Sequence, residues 1–415
     1  MGWILFSFYG IETDKKGNNS KVKPKGGISV NMLIWLKHYD YKKGDMLISI
    51  AFLLVLCLLN YSSFRMLKSF LTLKKISRCA YLGFFILLSA GEAAFVFYRN
   101  VMPSHLFVLT SACSFVSFIV FVFSLSFYGF SYSVEKIDFL PSRRKGLKNF
   151  LRIGFYLALL GYFWRGFYEG LARPKIKETP IYLDKLDKEL KVILLTDMHV
   201  GSLLQKDFVN YIVEEVNQQK VDMVLIGGDL VDENIEKVKS FLLPLNNLKS
   251  THGTFYVPGN HEYYHGIEPI LSFLDTLDMT ILGNECVQLG GINLCGVYDY
   301  FARKRQNFAP NIDEALKKRD SSKPTILLAH QPKQIRSLKE SHSIDLVLSG
   351  HTHAGQIFPF SLLVKLAQTY LYGLYKHSDT TQIYVSSGAG YWGVPLRFLA
   401  PSEIAYLRLL PKNQA

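Results

Sequence analysis

The chain has 415 residues and a net charge of +13, and hydrophobic residues make up 49% of it. Basic residues outnumber acidic ones by 15 in residues 1–180, whereas acidic residues are in excess by 2 in residues 181–415. Because the basic excess belongs to the apolar half, it is more typical of cationic flanks around membrane segments than of a nucleic-acid-binding face, and we expect no nucleic-acid partner. The five cysteines show neither a disulfide framework nor a zinc-thiolate pattern, which favours a reducing compartment or indifference to redox conditions.

The first part of the chain has the pattern of a membrane protein. Residues 1–45 form a basic tail without a recognisable role. Three apolar stretches that approach or reach the length of about 20 residues needed to cross a bilayer follow near residues 46–64, 79–98 and 105–132. A fourth hydrophobic helix is predicted over 150–168, but its apolar run between Arg152 and Arg165 is short for a span and more typical of an interfacial segment. We therefore assign residues 46–180 to a membrane region.

The charged loops between these stretches indicate sidedness. The loops around 65–78 and 136–148 are both basic, and basic loops favour the cytoplasmic side. If the fourth helix lies in the interface, everything that follows it is cytoplasmic, which is the arrangement we favour. If it spans, the second half of the chain lies outside. Glu92, inside the second stretch, is a functional candidate or a helix-packing residue, and the sequence offers no partner for it.

From about residue 190, short apolar strands alternate with polar helical stretches, as in an α/β domain. Strands are predicted at 191–196, 222–228, 254–259, 280–284, 292–297, 325–330 and 345–350. Helices are predicted near 206–219, 233–249, 266–277, 311–319 and 333–340. Ligands of such folds gather in the loops beyond the carboxyl ends of the strands.

Polar side chains follow five of these strands at the point where each ends. They are Asp197 and His199, then Asp229 and Asp232, then Asn260, His261 and Glu262, then His330, and finally His351 and His353. A single Asp or His after a strand is usually a turn residue or a helix cap. Five such endings in one domain instead indicate a site, and oxygen and imidazole ligands without thiolate suit Mn, Fe, Zn or Mg.

The order Asp-x-His, Gly-Asp-x-x-Asp, Gly-Asn-His-Glu, an isolated His and Gly-His-x-His resembles the calcineurin-like metallophosphoesterases over residues of about 190–408. The resemblance implies an αββα sandwich, in which two packed mixed sheets are flanked by helices, over residues 181–410 and after the N-terminal helical transmembrane region. The ending "SSGAGYWGVPLRF" at 386–398 is similar to a membrane-associated bacterial branch of that family. That branch includes the UDP-2,3-diacylglucosamine pyrophosphatases of lipid A synthesis.

The resemblance also implies roles for the polar side chains. It places Asp197, His199 and His353 on a first divalent metal ion and Asn260, His330 and His351 on a second, with Asp229 bridging the two. Manganese is the first candidate for both ions, with Fe, Zn or Mg as alternatives. His261 is the expected general acid or charge stabiliser, oriented by Asp232 or Glu262. Two adjacent cations activate water near neutral pH and neutralise charge on a phosphoryl group.

The membrane region suggests a substrate held in the bilayer, and we expect a lipid-linked phosphate or pyrophosphate and the bilayer itself as partners, with no protein partner. UDP-2,3-diacylglucosamine, split into lipid X and UMP at the cytoplasmic face of the bacterial inner membrane, fits this description. Arg397 is a candidate for the phosphate, and Tyr391 and Trp392 for the base or the acyl chains, although these aromatic residues could equally be core. One alternative is an outward-facing enzyme acting on phospholipid or cell-envelope phosphates. The other is a non-catalytic, metal-binding membrane scaffold.

Overall fold

A computed structural model describes residues 43–72, 74–98, 102, 104–137 and 140–412. The basic tail predicted over 1–45 therefore lies almost wholly outside the described residues. The chain divides into two compact units, Met1–Leu160 and Gly161–Ala415.

The described part of the first unit consists of long apolar helices. They are α1 (Lys43–Phe70), α2 (Lys75–Tyr98), α3 (Ser104–Lys136) and the beginning of α4 (Pro141–Leu171). Among the described residues, three segments are long and apolar enough to cross a membrane: Ser49–Phe70, Lys75–Tyr98 and Leu106–Lys136. The helix α4 does not meet that criterion, since Arg152, Arg165 and Glu169 interrupt its apolar run.

The membrane helices enclose polar side chains that stabilise their packing. Asn60 on α1 donates from Nδ2 to Oε2 of Glu92 on α2 at 2.9 Å and to Oγ of Ser89 at 3.0 Å. Glu92 is fully buried, so its carboxyl group faces neighbouring helices and not lipid. The sequence suggested no partner for Glu92, and the structure corrects this, because Asn60 lies 32 residues away on the preceding helix and meets Glu92 only when the two helices pack.

The second unit contains two six-stranded sheets. The first is built from β1 (Lys175–Leu183), β2 (Leu190–Leu195), β3 (Met223–Ile226), β4 (Thr254–Tyr256), β5 (Thr280–Ile281) and β12 (Glu403–Pro411). The second is built from β6 (Glu285–Leu289), β7 (Ile292–Gly296), β8 (Thr325–Leu328), β9 (Leu346–Ser349), β10 (Gly373–Lys376) and β11 (Gln382–Val385). The strand orders are β1-β12-β2-β3-β4-β5 and β10-β11-β9-β8-β7-β6, and each sheet mixes parallel and antiparallel pairs.

Helices cover the sheets and complete the sandwich. They are α5 (Lys206–Gln218), α6 (Ile235–Leu242), α7 (Asn260–His265), α8 (Ile267–Leu274), α9 (Ile312–Ala315) and α10 (Phe360–Gln368). Between the sheets, Leu194 and Leu225 of the first sheet share a buried cluster with Leu328 and Leu348 of the second. A second cluster joins the other face of the first sheet to α5, α6 and α8. The predicted αββα architecture is confirmed.

The two cysteines of this unit depart from the sequence expectation. Cys286 on β6 lies directly opposite Cys295 on β7, and the structure joins them in a disulfide. The expectation that the cysteines form no disulfide is therefore wrong for this pair. The hairpin register, which brings residues nine positions apart face to face, was not evident from the sequence.

Candidate metal centre

The polar side chains that follow five strands meet at one place. The strands β2, β3 and β4 are parallel neighbours in the first sheet, and β8 and β9 are parallel neighbours in the second. Because neighbouring parallel strands have their carboxyl ends at the same sheet edge, the five following loops converge there. The two sheets pack face to face, so side chains from both reach a common centre.

A first group of ligand atoms combines the loops after β2 and β9. The Nε2 atoms of His199 and His353 are 3.0 Å apart, and Nε2 of His353 is 3.5 Å from Oδ1 of Asp197. All three side chains are buried, and their ligand atoms lie close enough to share one metal ion. The structure thus brings together the three residues predicted to hold the first ion.

A second group combines the loops after β3, β8 and β9. Nε2 of His330 lies 3.0 Å from Oδ2 of Asp229 and 3.2 Å from Nδ1 of His351. Asp229 Oδ2 is also 4.0 Å from His199 Nε2 in the first group. Asp229 therefore lies between the two groups, as expected of a carboxylate that serves both.

The hydrogen bonding of two buried oxygen atoms indicates whether metal ions fit this arrangement. Asp229 Oδ2 and Asn260 Oδ1 accept no hydrogen bond from the part of the chain that the structure describes. A buried polar atom left without a partner costs about 1–3 kcal/mol, and a cation bound at these oxygens would remove that cost. Carboxylate, amide and imidazole ligands without thiolate suit divalent Mn, Fe, Zn or Mg. The residues present fit a pair of divalent ions.

The backbone at the centre adopts conformations that few residues tolerate. Positive φ angles occur at Asp197, His199, Asp229, His351 and His353. Such strain in non-glycine residues is uncommon and clusters at functional sites. Two glycines allow the tight packing: a Cβ at Gly259 would overlap the Asp229 carboxylate, and one at Gly350 would overlap that of Asp197.

Burial sets the protonation of two imidazoles. It holds the pKa of His351 and of His353 well below the ordinary histidine value, with help from the neighbouring rings of His330 and His199 respectively. His330 differs, because burial lowers its pKa but the Asp229 carboxylate raises it to about 10. A metal ligand must be deprotonated, so cation binding at His330 releases a proton and weakens as the pH falls.

Two histidines, His261 and His265, contact the carboxylate of Asp232. Nδ1 of His261 lies 2.6 Å from Oδ1 of Asp232, and Nε2 of His265 lies 3.2 Å from the same oxygen. Of the two carboxylates considered for orienting His261, Asp232 is the one in contact with its ring. The sequence analysis did not single out His265, although its spacing of four residues from His261 on one helix was a usable signal.

Glu262 contacts backbone instead of an imidazole. Its Oε1 accepts from the amides of Leu230 at 2.8 Å and Val231 at 3.0 Å, and its Oε2 accepts from those of Asp229 at 3.2 Å and Gly259 at 2.7 Å. The residue is fully buried. Glu262 therefore ties the loop after β3 to the loop after β4.

The three predicted substrate residues occupy different places. Arg397 is 1% exposed, and its Nη2 donates to the carbonyls of Ser387 and Gly390 and lies 3.1 Å from Nδ1 of His353. Arg397 is therefore buried against a candidate metal ligand, and little of its side chain is accessible to a substrate. The partly exposed Trp392 makes an edge contact with His261, with ring centroids 6.3 Å apart. Tyr391, also partly exposed, lines a cavity of about 210 Å³ beside the end of α4.

Comparison with known proteins identifies the family of this chain. The family model described as calcineurin-like phosphoesterase matches residues 190–355, which contain all seven candidate metal ligands. A metallophosphoesterase of Helicobacter pylori strain J99 is 96% identical over 370 residues, covering 89% of this chain and all of the relative. The chain belongs to the calcineurin-like phosphoesterase family.

Other relatives of this phosphoesterase extend the similarity beyond the catalytic fold. A metallophosphoesterase of Campylobacter jejuni is 37% identical over 389 residues, covering 89% of this chain and 99% of the relative. A transmembrane protein with a metallophosphoesterase domain from Danio rerio is 30% identical over 355 residues, covering 80% of each chain. Family membership makes this phosphoesterase a phosphoester hydrolase, and its three apolar helices together with the transmembrane relative indicate membrane association.

Proposed function

We propose that the protein is a membrane-bound, two-metal phosphoesterase that hydrolyses a phosphate or pyrophosphate bond of a lipid substrate. The observation that carries this proposal is the position of Asp229 Oδ2, a buried oxygen between two groups of candidate ligands. Asp197, His199 and His353 hold one ion, and Asn260, His330 and His351 hold the other. Manganese is our first choice for both.

Bound divalent ions supply a nucleophile at neutral pH and neutralise phosphoryl charge during in-line displacement. The chain's own residues provide the remainder. His261 lies 3.9 Å from Asp229 Oδ2, so its Nε2 faces the reacting group and protonates the leaving oxygen. The Asp232 carboxylate accepts from His261 Nδ1 and thereby fixes the orientation of the ring.

The cavity beside the centre supports an amphiphilic substrate. Its lining includes Leu171, Leu203, Phe208 and Tyr391, which offer apolar surface, together with buried Arg397. Such a lining would contact part of an acyl chain, with the phosphate group directed to the metal centre. UDP-2,3-diacylglucosamine, cleaved to lipid X and UMP at the cytoplasmic face of the inner membrane, is the specific substrate we propose.

A second candidate is an outward-facing phosphodiesterase or phosphatase acting on phospholipid or cell-envelope phosphates. The Cys286–Cys295 disulfide favours it, because disulfides persist in oxidising compartments and are rare in the cytosol. The Danio rerio relative also favours it, since phospholipids, unlike lipid A precursors, occur in both bacteria and animals.

A direct assay separates the candidates. The full chain, purified in detergent with Mn²⁺, receives UDP-2,3-diacylglucosamine, a phospholipid, or bis-p-nitrophenyl phosphate, with Asp229→Ala as the control. UMP release that the control lacks supports the first candidate. Cleavage of the phospholipid or the generic ester alone rejects the lipid A substrate, and no cleavage of any substrate supports the non-catalytic scaffold.

Sidedness requires a separate measurement in intact cells. A cysteine introduced at Lys412, the exposed end of the described chain, reacts with a membrane-impermeant maleimide only if the catalytic unit is outside. Protection until the cells are lysed supports the cytoplasmic arrangement and labelling of intact cells supports the second candidate.

A further inference from the structure

The helix α10 exposes two leucines on the side that faces away from the domain. Its buried positions are Ser361, Val364 and Gln368, of which two are polar, whereas Leu362 and Leu366 on the opposite side are 56% and 77% exposed. A surface helix of a soluble domain normally turns its apolar stripe inward. Two exposed leucines on the outer side of the helix therefore indicate that this side meets an apolar partner.

Two neighbouring segments extend this apolar surface. Phe358 is exposed just before α10, and its amide donates to the carbonyl of Phe398 at 3.2 Å. The next residue, Leu399, is 63% exposed. Tyr162 on α4 donates from its hydroxyl to the Phe358 carbonyl at 2.6 Å and stacks on Phe398, with ring centroids 4.0 Å apart. These contacts join α10, the 398–399 segment and the end of α4 into one surface.

The end of α4 contributes aromatic side chains to the rim of this surface. Tyr162, Gly166 and Gly170 face inward, and Gly166 and Gly170 pack against Pro395 and Leu396. On the outward side, Trp164 and Tyr168 are both exposed. Tryptophan and tyrosine are the residues enriched where a protein meets the headgroup level of a bilayer.

We propose that the interfacial face, defined as Phe358, Leu362, Leu366, Leu399, Trp164 and Tyr168, docks the catalytic unit onto the lipid bilayer. The chain itself argues for this occupant, because α4 begins only five positions after the third candidate span ends at Lys136. The exposed Lys365 directly precedes Leu366 on α10, and a lysine at the edge of an apolar face can direct its ammonium to anionic headgroups.

Docking at this face also places the metal centre beside the lipid. Phe398 directly follows Arg397, whose guanidinium lies against His353 at the first group of ligands. An amphiphile can therefore present its phosphate to the centre without leaving the bilayer. The docking itself does not depend on which phosphoester is cleaved.

Fluorescence quenching of the full chain in liposomes tests the proposal without reference to activity. In a variant whose five cysteines are replaced by alanine, and whose apparent Tm is unchanged, Leu366→Cys carries an environment-sensitive nitrobenzoxadiazole label. Leu399→Cys provides an independent second position. The matched control is Leu243→Cys, a 49% exposed leucine in the turn that follows α6. The vesicles contain phosphatidylethanolamine, phosphatidylglycerol and nitroxide-labelled phosphatidylcholine, and iodide serves as the aqueous quencher.

We expect the nitroxide lipid to quench the labels at 366 and 399 at least several-fold more strongly than the label at 243, with iodide showing the opposite order. Iodide quenching at all three positions would show that the face is in water and would overturn the proposal. Protection of 366 and 399 from both quenchers would show that protein covers the face, either a second copy or another segment, and would overturn it equally.

Discussion

Glu262 connects the two loops that carry Asp229 and Asn260. Its replacement by glutamine removes one of the two carboxylate oxygens that make this connection. The glutamate accepts hydrogen bonds from four backbone amides, two on each oxygen. Glutamine keeps one acceptor oxygen and presents an NH₂ group where the other stood. Two buried N–H groups then face a donor instead of an acceptor.

The expected loss of stability follows from that count. A buried donor left without a partner costs about 1–3 kcal/mol, so two of them cost about 2–6 kcal/mol. For a unit of this size about 1 kcal/mol shifts the Tm by roughly 2–4 °C, which predicts a drop of about 5–20 °C. The two loops that Glu262 connects also position the candidate ligands, so the affinity for metal is expected to fall as well.

Thermal unfolding of the purified chain, followed with and without chelator, measures both effects. The chelated sample isolates the hydrogen-bond contribution from any loss of metal. The control is Glu236→Gln, the same chemical change at a side chain that is 72% exposed on α6, where we expect a shift of about 2 °C or less. Equal shifts for the two variants in chelator would refute the role assigned to Glu262.

Three further predictions concern the centre and its support. His261→Ala is expected to keep its metal content and to lose about 10²–10⁴ in kcat, as for a general acid, and loss of metal would make it a ligand instead. Arg397→Lys is expected to weaken metal binding by about 10–100-fold in a titration, because one ammonium cannot replace the fork that supports His353, and unchanged affinity would remove Arg397 from the site. Gly170→Ala is expected to destabilise the catalytic unit by about 1–3 kcal/mol through overlap with the backbone of Pro395, whereas Gly161→Ala on the same helix meets open space, and equal Tm values would contradict this packing.

The polar residues of the centre could be located from sequence because they lie just beyond the ends of buried strands, whereas their assignment as ligands of two ions came from the resemblance to the calcineurin-like family. The strand ends are local features, and the fold brings them together wherever the strands are parallel neighbours. The strand ends alone could not decide whether Asp232 or Glu262 orients His261. Both lie near His261 in the motifs, and only the path of the loops decides which carboxylate meets the ring and which meets backbone amides.

Several elements of the sandwich were missed for physical reasons. The strand β1 carries Pro180 and lies at a sheet edge, where proline is tolerated but weakens the strand pattern. The strands β10 and β11 are only four residues long, and β12 pairs with β2, which precedes it by more than 200 residues. The buried setting of Arg397 was also not evident, since it depends on carbonyls of Ser387, Gly390 and Ala400.

The most direct test of a two-metal phosphoesterase combines metal analysis with activity in the same preparations. The wild-type chain and Asp229→Ala are purified in parallel, their bound divalent metal is measured by mass spectrometry, and hydrolysis of bis-p-nitrophenyl phosphate is followed before and after chelation. We expect about two ions per wild-type chain, activity that chelator abolishes and Mn²⁺ restores, and little metal or turnover in the variant. Turnover that survives chelation, or an Asp229→Ala chain that remains substantially active, would contradict the proposed centre.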